Sequence, residues 1–121
     1  MTPKDISRIC AALPGSELTH PFGDDLDVWK VSGKMFAVPG LNSGGVTLKC
    51  VSEDAALMLI EIGVAKRARY LKRGGWVTID YDAMQDDDFR QRILDSYATV
   101  RKGLTKAQKA ALLDIPDQPP Q

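Results

Sequence analysis

Between Glu17 and Val51 the apolar residues recur with a period of two, in three short runs, Leu26–Val31, Lys34–Val38 and Val46–Val51. Ser32-Gly33 separates the first two runs and Asn42-Ser43-Gly44-Gly45 the last two. Alternation broken by residues that accept left-handed backbone is the pattern of an antiparallel meander, and parallel strands would need far longer connections. If Ser32-Gly33 is a two-residue loop, Val31 faces Lys34, Trp29 faces Phe36 and Val28 faces Ala37. Both faces of that ribbon then carry apolar groups, and the pattern alone does not say which face meets the helices.

Helical signals flank the meander. Thr2-Pro3-Lys4-Asp5 supplies a hydroxyl cap, a proline at the first helical position and an acid three residues after the cap, which satisfies backbone donors that otherwise lack partners. Ile6, Ile9, Cys10 and Leu13 form one apolar stripe that Pro14-Gly15 ends. Ser52 followed by Glu53-Asp54 predicts a second helix to Ile62, with Leu57 and Ile60 facing inward. The segment from Val64 to Arg73 is basic and poorly periodic and reads as a loop. Gly74-Gly75 marks a turn, and Trp76 to Tyr81 alternates as a further strand. Asp86, Asp87 and Asp88 open a third helix with Phe89, Ile93, Tyr97 and Val100 on its stripe and a stop at Gly103. Thr105-Lys106-Ala107-Gln108 repeats the capping pattern before a short last helix to Leu113. The expected architecture is α+β: an antiparallel sheet with helices packed on it, in a single domain over residues 1–115. Residues 116–121, with no apolar anchor, are expected to be disordered.

With 121 residues, 44% of them apolar, the chain can bury a core without staples. Its longest uninterrupted apolar stretch, Ala55–Ile60, is far short of the roughly 20 residues of a membrane span, and no signal-peptide pattern opens the chain. A cytoplasmic protein without membrane contact is expected. Cys10 and Cys50 stand singly, outside any metal or redox spacing. They read as buried thiols rather than a disulfide.

Sixteen bases balance sixteen acids, yet residues 1–63 hold five bases against eight acids and residues 64–121 eleven against eight. Within Lys66-Arg67-Ala68-Arg69-Tyr70-Leu71-Lys72-Arg73 five cations fall in eight residues with no acid. That density attracts phosphate, arginine binds it bidentately, and Tyr70 or Trp76 could stack on a base or sugar. A solvated basic loop balancing the acids from Asp80 to Asp88 is the plain alternative. His20 is the only histidine and reads as a turn residue. Asp24, Asp25 and Asp27 lack the spacing of a calcium loop. No nucleophile elbow or phosphate loop is present, so neither an enzyme nor a bound cofactor is expected.

His20-Pro21-Phe22-Gly23, the Val31–Phe36 hairpin, Leu48-Lys49-Cys50, Gly75-Trp76, and Ser96-Tyr97 with Val100 and Leu104 resemble, in order and spacing, the MmcQ/YjbR-like family of small bacterial proteins over about residues 4–113. The resemblance implies a fold similar to the frataxin-like CyaY proteins and a proposed double-wing DNA-binding role. Frataxin-like iron binding uses a carboxylate-rich first helix, and this one offers only Asp5, so iron is not expected here. The nucleic-acid-binding candidates are Lys34, Lys49, Lys66, Arg67, Arg69, Lys72, Arg73 and Trp76, with duplex DNA as a weak, salt-dependent partner. The alternative is a non-catalytic module that binds a small ligand, in an apolar pocket near Trp29 and Phe36, or another protein.

Overall fold

A computed structural model describes residues 1–40, 44–69, 71 and 73–113. In chain order they form α1 (Pro3–Ala11), β1 (Ser16–Thr19), β2 (Val28–Val31), β3 (Lys34–Pro39), β4 (Gly45–Lys49), α2 (Glu53–Glu61), β5 (Lys66–Arg67), β6 (Trp76–Asp80), α3 (Asp86–Lys102) and α4 (Lys106–Ala110). The strands make one antiparallel sheet in the order β1-β2-β3-β4-β6-β5. The chain is thus α+β, as the periodicities predict. No helix of the described residues is long and apolar enough to cross a membrane. Asn42, Ser43, Tyr70, Lys72 and the tail 116–121 lie outside the described residues.

The expected caps are present. Thr2 Oγ1 accepts from Asp5 N–H at 3.2 Å while Asp5 Oδ2 accepts from Thr2 N–H at 3.0 Å, and Thr105 and Gln108 repeat the exchange at α4. The helices share one face of the sheet. Trp29, Val31, Phe36, Val46, Leu48, Val77 and Ile79 point to that face and pack with Ile6, Cys10, Leu13, Phe89, Ile93 and Tyr97. Tyr97 is fully buried and its hydroxyl donates to Pro14 O at 2.6 Å, tying α3 to the turn after α1.

Four expectations need correction. Ser16–Thr19, unassigned by the alternation, is an edge strand on β2. The hairpin register holds at Val31↔Lys34 and Lys30↔Met35 but then slips, so that Trp29 faces Ala37 and not Phe36. Phe36 is the extra residue of a bulge, which turns it toward the helices together with Ala37. Leu57 does not pack on the sheet. It is 42% exposed, and Ala56, fully buried, takes the inward position with Leu59 and Ile60 beside the core. Finally, the basic loop contains a short edge strand, Lys66–Arg67, whose charged pair carries no apolar alternation to reveal it.

Both cysteines are free thiols. Burial pushes the Cys10 thiol from an ordinary 9.0 up to about 12. As pH rises above 9.0 the unfolded chain releases this proton and the folded one keeps it, so stability is full below that value and declines above it. The decline is about 1.4 kcal/mol per pH unit from this group. Cys50 and Tyr81, also raised by burial, act in the same direction. Urea midpoints compared at neutral and alkaline pH are expected to fall less steeply in a Cys10→Ala variant.

Candidate nucleic-acid interface

The antiparallel pairing fixes where the cations go. β3 starts at the Ser32-Gly33 turn, so β4, running back beside it, finishes at that same end of the sheet with Lys49. β6 begins there, with Trp76 opposite Lys49, and β5 runs toward it. The turn between β2 and β3 and the segment between β5 and β6 therefore project from one end, with only β4 between β3 and β6. Their nearest strands, β3 and β6, are two spacings apart, about 10 Å.

Ser32 (φ 47°) and Gly33 (φ 79°) shape the first turn, a pair of left-handed residues that matches the twist of a hairpin. Lys34 follows it, exposed. The second turn carries exposed Arg69 and Arg73 and closes through Gly74 and Gly75. Cys50 N–H donates to Gly75 O at 2.8 Å, which fastens this turn to the end of β4. Lys49 lies between the turns on the face away from the helices. Its Nζ sits 5.8 Å from the centroid of the Trp76 ring, close enough for attraction to the π face. Trp76 is itself buried, so it supports the lysine and does not present a free stacking face.

The remaining candidates are engaged. Lys66 pairs with Asp80 at 3.9 Å on the face shared with Lys49. Arg67, one residue on and so on the opposite face, reaches Glu53 at 3.4 Å. Lys34, Lys49, Arg69 and Arg73 have no carboxylate partner among the described residues. Lys72 falls outside them. The interface thus gathers four of the eight predicted residues as unpaired cations and turns Lys66 and Arg67 to intramolecular partners.

Sequence reasoning missed Glu53. Read as a helix-start acid, it also accepts from Gly74 N–H at 2.8 Å and Gly75 N–H at 3.0 Å through Oε1. The Gly75 amide above all, then the Gly74 amide and Arg67, holds its carboxyl below the ordinary 4.5. The carboxylate form of this clamp therefore persists at neutral pH, and its charge is lost only as pH falls below the usual carboxylate range. Nothing in the sequence ties position 53 to positions 74 and 75, so no signal could have found it.

Ser96 is the other. Gly40 N–H bonds Gly45 O at 2.9 Å, and hydrogen-bonded pairs alternate along such a ladder. Phe36 and Lys49 would be the second such pair onward, but the bulge parts them. Ser96 Oγ fills the gap, accepting from Lys49 N–H at 2.8 Å and donating to Phe36 O at 2.6 Å. The hydroxyl of α3 thereby sets the backbone from which Lys49 projects.

The other end of the sheet is acidic. The turn between β1 and β2 carries Asp24, Asp25 and Asp27, the last bound to His20 Nε2 at 2.8 Å, and the end of β6 (Asp80), the connection after it (Asp82) and the first turn of α3 (Asp86, Asp87 and Asp88) add five more acids. No cluster of three metal-ligating side chains occurs among the described residues. Trp29 and Phe36 are 6% and 0% exposed, packed into the core rather than lining a pocket. A cavity of about 50 Å³ lies instead between α2, α3 and the sheet, lined by residues including Leu48, Cys50, Leu59, Arg92 and Asp95. Ligand pockets run to roughly 300–1,000 Å³, and the Arg92–Asp95 pair at 2.9 Å spends its charges on each other.

The family model of YjbR matches residues 11–99. Among solved structures, the Deinococcus radiodurans protein DR2400, with its DUF419 domain, is similar at 25% sequence identity and a TM-score of 0.76, covering 90% of this chain and 86% of that one. No curated protein matches the chain.

Proposed function

The chain belongs to the YjbR family, and on that premise we propose that it binds the phosphate backbone of duplex DNA through the two basic turns at one end of its sheet. The observation that supports this most is the placement of Lys49 between those turns, with Lys34 on one side and Arg69 and Arg73 on the other. A span of about 10 Å is on the scale of the ~12 Å major groove, so the two turns can reach phosphates that border one groove. Among the described residues no helix combines exposed polar readers with a major-groove motif, so the binding is expected to be independent of base sequence. Trp29 and Phe36 are packed into the core, which favours this reading over a small-ligand module built on those two residues.

Fluorescence anisotropy with a labelled duplex at low salt tests it. With about four phosphate contacts the log–log salt slope is expected near −3.6, at about 0.9 per contact. An Arg69→Glu, Arg73→Glu double variant should lose two contacts, drop the slope to about −1.8 and bind much more weakly. Its stability should stay within about 0.5 kcal/mol of the parent, because exposed loop charges contribute little. Absence of binding by the parent protein, or equal affinity in the variant, would overturn the proposal and leave a protein partner as the better reading.

A further inference from the structure

The second turn already holds an anion, and that anion is the protein's own. Gly74 (φ +87°) and Gly75 (φ +76°) are consecutive left-handed residues, a conformation in which any side chain is strained. Their amides converge on Glu53 Oε1 at 2.8 and 3.0 Å. Arg67 Nη1 lies 3.4 Å from the other carboxylate oxygen. Two convergent backbone N–H groups and a guanidinium form a donor set suited to a carboxylate or a phosphate, since both offer paired anionic oxygens. A further cation stands by: a Cβ placed on Gly74 would lie 3.7 Å from Lys49 Nζ.

The carboxylate is a replaceable occupant. Glu53 and Arg67 side chains are 50% and 44% exposed, so solvent reaches the site. The start of α2 does not depend on Glu53, because its cap is Ser52, whose Oγ accepts from Ala55 N–H at 3.0 Å. A rotation of the Glu53 side chain clears both amides and frees Arg67 without moving the helix.

We propose that the Gly74 and Gly75 amides together with Arg67 form a phosphate-binding site, which Glu53 fills in the free protein and leaves when a phosphate group enters. Resting on the phosphate-binding reading above, this makes Glu53 an internal competitor that weakens binding and keeps Arg67 out of the contact set. The phosphate can come from a nucleic-acid backbone or from free inorganic phosphate, and the test separates the two.

The parent protein, Glu53→Ala and Glu53→Gln are each titrated with inorganic phosphate, followed by the NMR amide signals of Gly74 and Gly75, and with a labelled duplex, followed by anisotropy. In Glu53→Ala, phosphate should move both amide signals at about tenfold lower concentration than in the parent, the weight of one charge-assisted hydrogen bond. Duplex affinity should rise by a similar factor, and the salt slope should steepen by about 0.9 as Arg67 joins the contacts. Glu53→Gln keeps an oxygen on the two amides and removes the charge, so it should fall between the two; it decides the matter if the alanine variant loosens the turn. Duplex binding with amide signals that phosphate leaves unmoved in both variants overturns the site and leaves the nucleic-acid reading standing. Amide signals that move with phosphate in proteins that do not bind duplex establish the site and overturn the nucleic-acid reading.

Discussion

Phe36→Ala is expected to lower the unfolding free energy by about 3–5 kcal/mol, the usual cost of emptying an aromatic position in a core that cannot close over it. Phe36 is fully buried, and its ring meets Tyr97 edge to face, with centroids 5.3 Å apart and planes at 85°. The geometry opposes collapse. Phe36 is the inserted residue of the bulge, so its backbone position is set by the strands on both sides, and Tyr97 is held by its hydroxyl on Pro14 O. Chemical denaturation measures the loss directly. A change below about 1 kcal/mol would show that the sheet relaxes into the vacated space, and that the bulge is softer than its hydrogen bonds imply.

Ser96→Ala should cost nearly as much while removing a single oxygen. The hydroxyl is fully buried and is the partner of both the Lys49 amide and the Phe36 carbonyl. Its removal leaves two backbone groups unsatisfied at about 1–3 kcal/mol each, with the Lys49 side the cheaper because water can approach it. We expect a loss of about 2–4 kcal/mol and faster hydrogen exchange at the Lys49 amide. Ser96→Thr keeps the hydroxyl and adds a methyl to a closed site, so it should restore the amide's protection without restoring full stability. Normal protection in Ser96→Ala would mean that the Phe36 carbonyl and Lys49 amide join directly once the hydroxyl is gone.

The contrast between these residues shows where the sequence is readable. Thr2 with Asp5 and Thr105 with Gln108 bond backbone groups a few residues away, and Asp86 to Asp88 put acids in the first turn of α3, so local spacing announces the helix starts. The turn at Ser32-Gly33 is equally local. The bulge is not: whether Phe36 or Ala37 faces Trp29 depends on Tyr97 of α3, which draws the larger ring inward. Leu57 and Ala56 are a similar case. Both are apolar, and α2 lies close enough to the sheet at β5 and β6 that the smaller residue takes the buried position. In the candidate site, the cation-rich segment was plain from composition, whereas its division into engaged and unpaired residues was not. Lys66 and Arg67 are adjacent in sequence, but strand geometry sends them to opposite faces, where Asp80 and Glu53 receive them.

The separation of basic turns at one end of the sheet from acidic connections at the other gives the molecule a property that its formal net charge of zero conceals. A uniform field exerts no net force on such a body, but it does exert a torque. In the proposed encounter with a polyanion, this torque would turn toward the polyanion the end bearing Lys34, Lys49, Arg69 and Arg73. The rotation operates within about a Debye length, ~8 Å at physiological ionic strength and ~30 Å at 0.01 M salt. If the protein binds a polyanion as proposed, added salt is expected first to remove the alignment of approaching molecules, and with it the association rate, before it erodes the contacts of those already bound.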